Sequence, residues 1–162
     1  YRIKEAYLNV LYKMKKFELE DDTVLKKKPF RINKFLNEVP IYSKDKRGSN
    51  ISILIIHVFY LFINKKYDLI LNRLESLKAY SHRYLRNDDS LRSNAFIKIL
   101  LQLPGANYHP VALERHASKY YKKMINAPLH LAARHIEVEV IPYEKQYELL
   151  TDLLKMRLNK QI

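Results

Sequence analysis

Aromatic and basic side chains are interleaved at two places in this sequence, and these groups are the best suited to bind a ligand. The first set is Tyr80, Arg83, Tyr84 and Arg86, and the second is Lys119, Tyr120, Tyr121, Lys122 and Lys123. Cations beside aromatic rings could hold an acidic peptide segment or stack single-stranded bases. The structural alternative is that these tyrosines are core residues with the hydroxyl at the rim.

The histidines do not form a metal-binding pattern. His109 and His116 are seven residues apart, and His130 and His135 are five apart. A helical pair of metal ligands is spaced by four residues, and no carboxylate completes a ligand set here. We therefore expect no metal site. We expect His57, which lies in an apolar run, to be a core histidine with one hydrogen-bonded nitrogen.

Sequence motifs of catalysis are also missing. The chain has no nucleophile elbow, and two glycines are too few to favour a phosphate-binding loop. Glu137 and Glu139 are close in sequence, but we expect them to be solvated carboxylates rather than a catalytic pair. The sequence thus predicts a non-enzymatic protein without cofactors.

Positive charge dominates the composition. Lys and Arg number 30 against 17 Asp and Glu, and the formal net charge of +13 attracts polyanions. The excess is spread along the whole chain, whereas a nucleic-acid footprint normally concentrates it. Binding of RNA or another polyanion is therefore the alternative function rather than the preferred one.

The composition also bears on the compartment. The chain has no cysteine, which fits the reducing environment of the cytoplasm. The most apolar run, 51–63, is interrupted by Ser52 and His57 and is shorter than the roughly 18 residues of a membrane span. We expect a cytoplasmic protein in which this run is a buried core helix.

The elements that position these groups are predicted to be helices throughout. Apolar residues recur every three or four positions, glycine is rare, and the prolines fall at junctions. The predicted helices cover about 3–17, 32–39, 51–64, 67–85, 90–103, 111–125, a stretch beginning at Pro128, and 143 to near the end. We therefore predict an all-α domain of about seven or eight helices.

Two connecting segments allow more than one interpretation. The polar stretch 42–50 is either a charged linker between helices or a contact loop. The stretch 136–141 alternates like a strand, but the chain offers no partner strand. We expect 136–141 to be an extended connector or a helix formed in spite of its local pattern.

Residues 51–84 resemble one tetratricopeptide repeat, a helix-turn-helix unit of about 34 residues. The segment 66–68 resembles the turn between the two helices of that family. Core positions of the repeat are filled by Leu54, Leu61, Leu74 and Leu77. Val58 and Ile70 stand where the repeat has small residues, so the two helices are expected to approach less closely. The resemblance implies antiparallel helical hairpins stacked into a tetratricopeptide-like superhelix.

Two further segments, 37–48 and 82–86, resemble the C-terminal part of uncharacterised bacterial helical proteins. That likeness covers most of the chain and implies no activity. The chain begins at Tyr1 inside a helical pattern, so we expect residues 1–162 to form a single domain at the C-terminal end of a longer protein.

Together these features predict a non-enzymatic helical scaffold. Its partner would be another protein, the upstream part of its own chain or a second copy. The candidate partner-binding residues are the aromatic and basic ones named at the outset: Tyr80, Arg83, Tyr84, Arg86, Lys119, Tyr120, Lys122 and Lys123.

Overall fold

The computed structural model describes residues 2–14, 30–38, 49–85, 90–127 and 139–159, and helices occupy most of them. In chain order the helices are α1 (Arg2–Lys13), α2 (Ile32–Glu38), α3 (Ser49–Ile63), α4 (Tyr67–Tyr84), α5 (Leu91–Leu100), α6 (Pro110–Asn126) and α7 (Tyr143–Asn159). No strand occurs within these ranges. The predicted all-α class is thus confirmed for the described part of the chain.

Helix α3 lies at the centre of the core, as its apolar composition predicts. From Asn50 to Phe62 every side chain except His57 is buried, including Leu54 and Leu61. A helix that is apolar on all sides needs several neighbours, and α1, α2, α4 and α7 all pack against it. Although α3 is strongly apolar, none of the described helices combines the length and apolarity needed to cross a membrane.

Consecutive helices form the two most extensively packed pairs. Helix α3 packs along α4, where Val58 and Ile70 are completely buried, and α5 packs along α6. Helix α4 also contacts α5, which joins the two pairs. Helix α7 packs against α3, α5 and α6 and so closes over the second pair.

A short turn joins α3 to α4 and holds its backbone in an unusual conformation. The Lys66 N–H donates to the Leu61 carbonyl at 2.9 Å, and the Lys65 N–H donates to the Phe62 carbonyl at 3.0 Å. These are the two hydrogen bonds of a Schellman motif, whose left-handed position usually holds glycine. Here that position is Lys65, with a φ of 57°. A side chain there costs about 1–2 kcal/mol.

The connection from α5 to α6 contains a second left-handed turn. Asn107 and Tyr108 have φ values of 50° and 55°. The Tyr108 N–H donates to the Leu103 carbonyl at 3.0 Å, and the Asn107 N–H donates to the Pro104 carbonyl at 2.9 Å. A bulky residue with positive φ is uncommon, so the contacts around Tyr108 hold it in this conformation.

The first and last helices meet in the core. The Tyr7 hydroxyl donates to Gln146 Oε1 at 3.1 Å, and both side chains are buried. The Gln146 amide in turn donates to the Ile141 carbonyl at 2.7 Å, so its polar atoms are paired on both sides. In a solenoid each unit contacts only its neighbours. The contact between α1 and α7 joins helices that are far apart in the chain, which a simple solenoid would not do.

Two predictions about helix faces are wrong. The apolar spacing in 67–85 predicts that Leu71 lies on the apolar stripe of α4, but Leu71 is 48 % exposed, because Ile70 and Leu74 already fill that face. The spacing in 3–17 likewise predicts that Asn9 lies on the polar face of α1, but Asn9 is buried, with its Oδ1 lacking a hydrogen-bond donor. The spacing of apolar residues therefore locates the buried face of a helix, with an error of about one residue at each edge of that face.

Several predictions fall outside the described residues. They include the loop at 21–28, most of the 42–50 segment, the helix expected from Pro128, and the first half of the 136–141 stretch. Its second half, from Glu139 to Ile141, is described and forms bends rather than a strand. Of the two interpretations of that stretch, the connector therefore fits residues 139–141.

Candidate functional site

The first predicted set of aromatic and basic residues lies at the carboxyl end of α4. Tyr80 is buried and Tyr84 is half-buried, with their ring centroids 4.9 Å apart. Arg83 is exposed, and its Cζ lies 5.9 Å from the centre of the Tyr84 ring. Arg86 lies outside the described residues. Burial leaves Tyr80 little ring surface for a ligand, so its position agrees with the core alternative.

The second predicted set lies on α6 and is more accessible. Lys119, Lys122 and Lys123 are exposed, and Lys119 Nζ lies 4.8 Å from the centre of the half-buried Tyr120 ring. The next residue, Tyr121, packs on Tyr147 of α7 with ring centroids 4.7 Å apart. Helices α4 and α6 both pack on α5, so the two sets belong to different packed pairs of helices.

A cavity of about 90 Å³, partly open to solvent, lies elsewhere in the molecule, where distant segments of the chain converge. Its walls come from the carboxyl ends of α1, α3 and α7 and from the α3–α4 turn. The lining residues are Lys13, Met14, Phe62, Ile63, Lys65, Tyr67, Leu153, Met156 and Arg157. These side chains are apolar, aromatic or cationic, and none of them is acidic.

Arg157 of α7 connects this cavity to the α5–α6 turn. Its Cζ lies 5.0 Å from the centre of the Tyr67 ring and 5.6 Å from that of Tyr108. Its Nη1 donates to the carbonyls of Asn107 and Tyr108 at 3.3 and 3.4 Å, while its Nε is buried without an acceptor. Phe62 packs edge-on against both tyrosines, at 6.0 and 5.6 Å. The guanidinium is therefore held in place, and its Nη2 has no acceptor within the described part of the chain.

The other two cations of the cavity are also without carboxylate partners in the described part of the chain. Lys13 Nζ lies 4.6 Å from the centre of the Tyr60 ring, and Lys65 is exposed. The ion pairs within the described ranges involve Arg92 and Lys145 instead. Within the described ranges, the three cations of the cavity therefore form no ion pair with a carboxylate.

Helix dipoles offset part of this charge. Lys13 and Arg157 lie in the last turns of α1 and α7, and Lys65 follows the end of α3. Each helix end carries roughly half a negative charge, so the three ends neutralise roughly half of the three cations. The amino end of α4 adds roughly half a positive charge. Asp68, in the first turn of α4, contributes one negative charge. Roughly one positive charge remains to attract an anionic group.

Arg92 of α5 is buried and fully paired. Its Nε donates to Glu139 at 2.6 Å and its Nη2 to Glu139 and Glu144 at 3.1 and 2.8 Å. Its Nη1 donates to the Met124 carbonyl at 3.0 Å, and Glu139 also accepts the Tyr143 N–H at 3.0 Å. The network thus ties α5 to the end of α6 and the start of α7. The hydrogen bond with Glu139 is the main reason why the pKa of Arg92 is raised, against the opposite effect of burial.

The sequence-based expectation for Glu139 is wrong for this reason. We expected a solvated carboxylate, but its side chain is only 12 % exposed and is bound to Arg92. The helix of Arg92 also contains Ser93, Asn94 and Lys98, so its sequence gives no clear sign that the arginine is buried and needs a carboxylate partner. The partner itself lies 47 residues away and could not be identified from spacing.

His57 on α3 faces Arg73 on α4. Burial, and secondly the positive charge of Arg73, lowers the pKa of His57 to about 4. His57 is half-buried rather than fully in the core, and its Nδ1 has no hydrogen-bond partner. Arg73 Nε is also buried without an acceptor, and burial lowers the pKa of its guanidinium. At neutral pH this site holds one positive charge and a neutral imidazole.

The other histidines do not cluster in the described part of the chain. His82, His109 and His116 are exposed, and His130 and His135 lie outside the described residues. Within the described ranges, no three His, Cys, Asp or Glu side chains come close enough to hold a metal ion.

Comparison with known proteins found no family model, no curated protein and no solved structure that matches this chain. The likeness to tetratricopeptide repeats therefore rests on residues 51–84 themselves.

Proposed function

We propose that this chain is a non-enzymatic helical scaffold that binds another protein or another segment of the same polypeptide. The observation that carries the proposal is the cavity between the ends of α1, α3 and α7. Its cations and apolar walls supply attraction and contact area. Its lining includes no carboxylate or histidine that could act as a general base for the lysines and the tyrosine there, and no serine or cysteine.

The arrangement of the helices supports the same proposal. The pairs α3–α4 and α5–α6 pack consecutively, as hairpins do in tetratricopeptide-like stacks. Such stacks bind peptides through residues that several helices contribute. The cavity has this composite origin, because its lining residues come from four helices and the turn between two of them.

A polyanion such as RNA is the second candidate partner. One face of α6 favours it, because Arg115, Lys119, Lys122 and Lys123 are all exposed. Binding there would release counterions, and the affinity would fall steeply with salt. No base-stacking platform accompanies these cations, since Tyr120 and Tyr121 are half-buried against the core. The protein partner is therefore the preferred candidate.

Selection from a displayed library of random peptides would test the proposed function. We expect the immobilised 162-residue chain to enrich a related set of peptides that bind again as synthetic peptides in fluorescence polarisation. Labelled generic RNA and DNA should be measured in parallel at about 50 and about 200 mM salt. If no peptide set is enriched and RNA binds at low salt with a steep salt dependence, the scaffold proposal is wrong and the polyanion candidate replaces it.

A further inference from the structure

The cavity between α1, α3 and α7 has features that identify the chemistry of its occupant. It combines an unneutralised positive charge, a guanidinium with an unused donor and an apolar floor. The apolar floor includes Met14, Leu153 and Met156. A ligand that complements these walls carries a negative charge on a short apolar stem.

The size of the cavity limits that ligand further. Drug-sized ligands and cofactors occupy pockets of about 300–1,000 Å³, whereas this cavity measures about 90 Å³. It therefore accepts a single small group rather than a nucleotide. An Asp or Glu side chain has the required size, charge and stem.

The geometry of Arg157 favours a carboxylate over a stacked base. The guanidinium already occupies one face of the Tyr67 ring and one face of the Tyr108 ring, with its Cζ 5.0 and 5.6 Å from the ring centres. A base would need a free ring face. A carboxylate instead accepts hydrogen bonds, and the planar guanidinium can donate two parallel N–H groups to its two oxygens. The existing bonds of Nη1 to two carbonyls are long, at 3.3 and 3.4 Å, and leave most of this donor capacity unused.

The backbone of Lys65 is a further, independent indication. Glycine would relieve the left-handed strain of the Schellman turn, but the chain carries a lysine there. Strain of this kind persists where a side chain is needed at that point. The Lys65 side chain lines the cavity, so its cationic contribution explains why the costlier residue occupies the turn.

We infer that this cavity is the anchor point for an acidic peptide segment of the protein partner, with one Asp or Glu carboxylate bound by Lys13, Lys65 and Arg157. This inference rests on the proposed scaffold function and specifies its partner. The flanking residues of the peptide would lie over the apolar residues at the ends of α1 and α7. These flanking residues would add contact area, while the bound carboxylate would determine which peptide residue lies at the cavity.

Two matched peptides test the charge requirement. The first is a fluorescein-labelled peptide of about twelve residues in which Glu alternates with Ala and Leu, and the second has Gln at every Glu position. In fluorescence polarisation at about 150 mM salt, we expect the Glu peptide to bind at least about tenfold more tightly. Equal affinities for the two peptides would overturn the inference.

Two double variants separate the cavity from the overall charge. K13Q/K65Q removes two cations that line the cavity, and K78Q/K98Q removes two exposed lysines that do not. Both variants change the net charge equally. We expect K13Q/K65Q to lower the affinity for the Glu peptide about tenfold or more, and K78Q/K98Q to lower it less than about threefold. Equal losses would show that only the diffuse charge is involved, and the inference would fail.

A third variant tests the guanidinium fork. R157K keeps the positive charge but loses the planar donors, so we expect weaker binding of the Glu peptide than in the wild type. Circular dichroism and a thermal melt establish whether the variant is folded. If R157K does not fold, the lysine double variants still decide the question, because Lys13 and Lys65 are exposed.

Competition distinguishes the remaining sources of negative charge. Unlabelled Glu peptide should displace the labelled one, whereas inorganic phosphate and polyuridylate at equal charge concentration should displace it less well. Better displacement by polyuridylate would overturn the inference and favour the α6 surface. If displayed peptides are enriched but the Glu peptide does not bind, the inference fails and the scaffold function stands. If no peptide of any class binds, the scaffold function itself fails.

Discussion

Arg92 and Arg157 are both held inside the helix stack, but their surroundings differ. Arg92 donates to two carboxylates and a backbone carbonyl, with five donor–acceptor distances between 2.6 and 3.1 Å. Arg157 lies between two tyrosine rings, with two long bonds to carbonyls and an Nε without an acceptor. The first site satisfies its charge within the protein, and the second does not.

Under the proposed function, this difference separates the structural role of Arg92 from a binding role of Arg157. A buried charge with all its partners present ties helices together and has no capacity left for a ligand. A guanidinium held by aromatic rings keeps its position while its donors remain available. The comparison predicts that changes at Arg92 affect stability, whereas changes around Arg157 affect binding.

Replacing Arg92 should give the largest loss of stability. In R92M, Glu139 and Glu144 lose their cation in a poorly solvated place, so we expect the free energy of unfolding to fall by about 3–5 kcal/mol. Denaturant titration measures this change, and R115M, at an exposed position of α6, is the matched control. The triple variant R92M/E139Q/E144Q should recover part of the loss. A loss below about 1 kcal/mol in R92M would show that the network contributes little.

Acidification should produce the next largest effect, through His57. Its pKa is 6.5 in the unfolded chain and about 4 in the folded protein. Between these values the unfolded chain binds more protons, so stability falls as the pH is lowered below about 6.5 and is level above it. The slope is at most about 1.4 kcal/mol per pH unit. The difference between wild type and H57Q in denaturant titrations at pH 7 and pH 5 measures this contribution. If wild type and H57Q lose the same stability between pH 7 and pH 5, His57 does not cause the pH dependence.

Replacing Arg157 should have a smaller effect on stability than either of these. R157M loses the ring contacts and two weak hydrogen bonds but also removes the buried Nε that lacks an acceptor. We expect a loss of about 1 kcal/mol in denaturant titration. A loss as large as that of R92M would show that the two arginines have the same structural role, and the comparison would fail.

The sequence predicts the helices of this protein better than its sites. Apolar spacing locates α3 and α4 and the burial of Leu54 and Leu61, because periodicity is a local property of the chain. Both arginine sites depend on segments far apart in sequence, so no spacing rule reveals them. The tyrosine and lysine pattern at 80–86 and 119–123 was visible in the sequence, but burial of Tyr80 depends on tertiary packing.

The Lys65 turn could have been recognised from the sequence alone. A helix that ends near Asn64 and is followed at once by another helix needs a left-handed residue between them. The absence of glycine at that point indicates strain, and strain suggests that the lysine side chain is required there. The structure adds what the sequence could not, namely that Lys13 and Arg157 line the same cavity as Lys65.

Lys65→Gly should give the smallest change in stability and the sharpest test of the comparison. Glycine removes a strain of about 1–2 kcal/mol in the left-handed position but adds about 0.5–1 kcal/mol of backbone entropy to the unfolded chain. We therefore expect the free energy of unfolding to rise by about 0.5–1 kcal/mol. The same substitution removes a cation from the cavity and should weaken binding of the Glu peptide. K65Q is the control, because it keeps the left-handed strain but removes the cation. It should therefore bind the Glu peptide more weakly without gaining stability. A K65G variant that is more stable and binds the peptide as well as the wild type would show that the lysine is there for another reason.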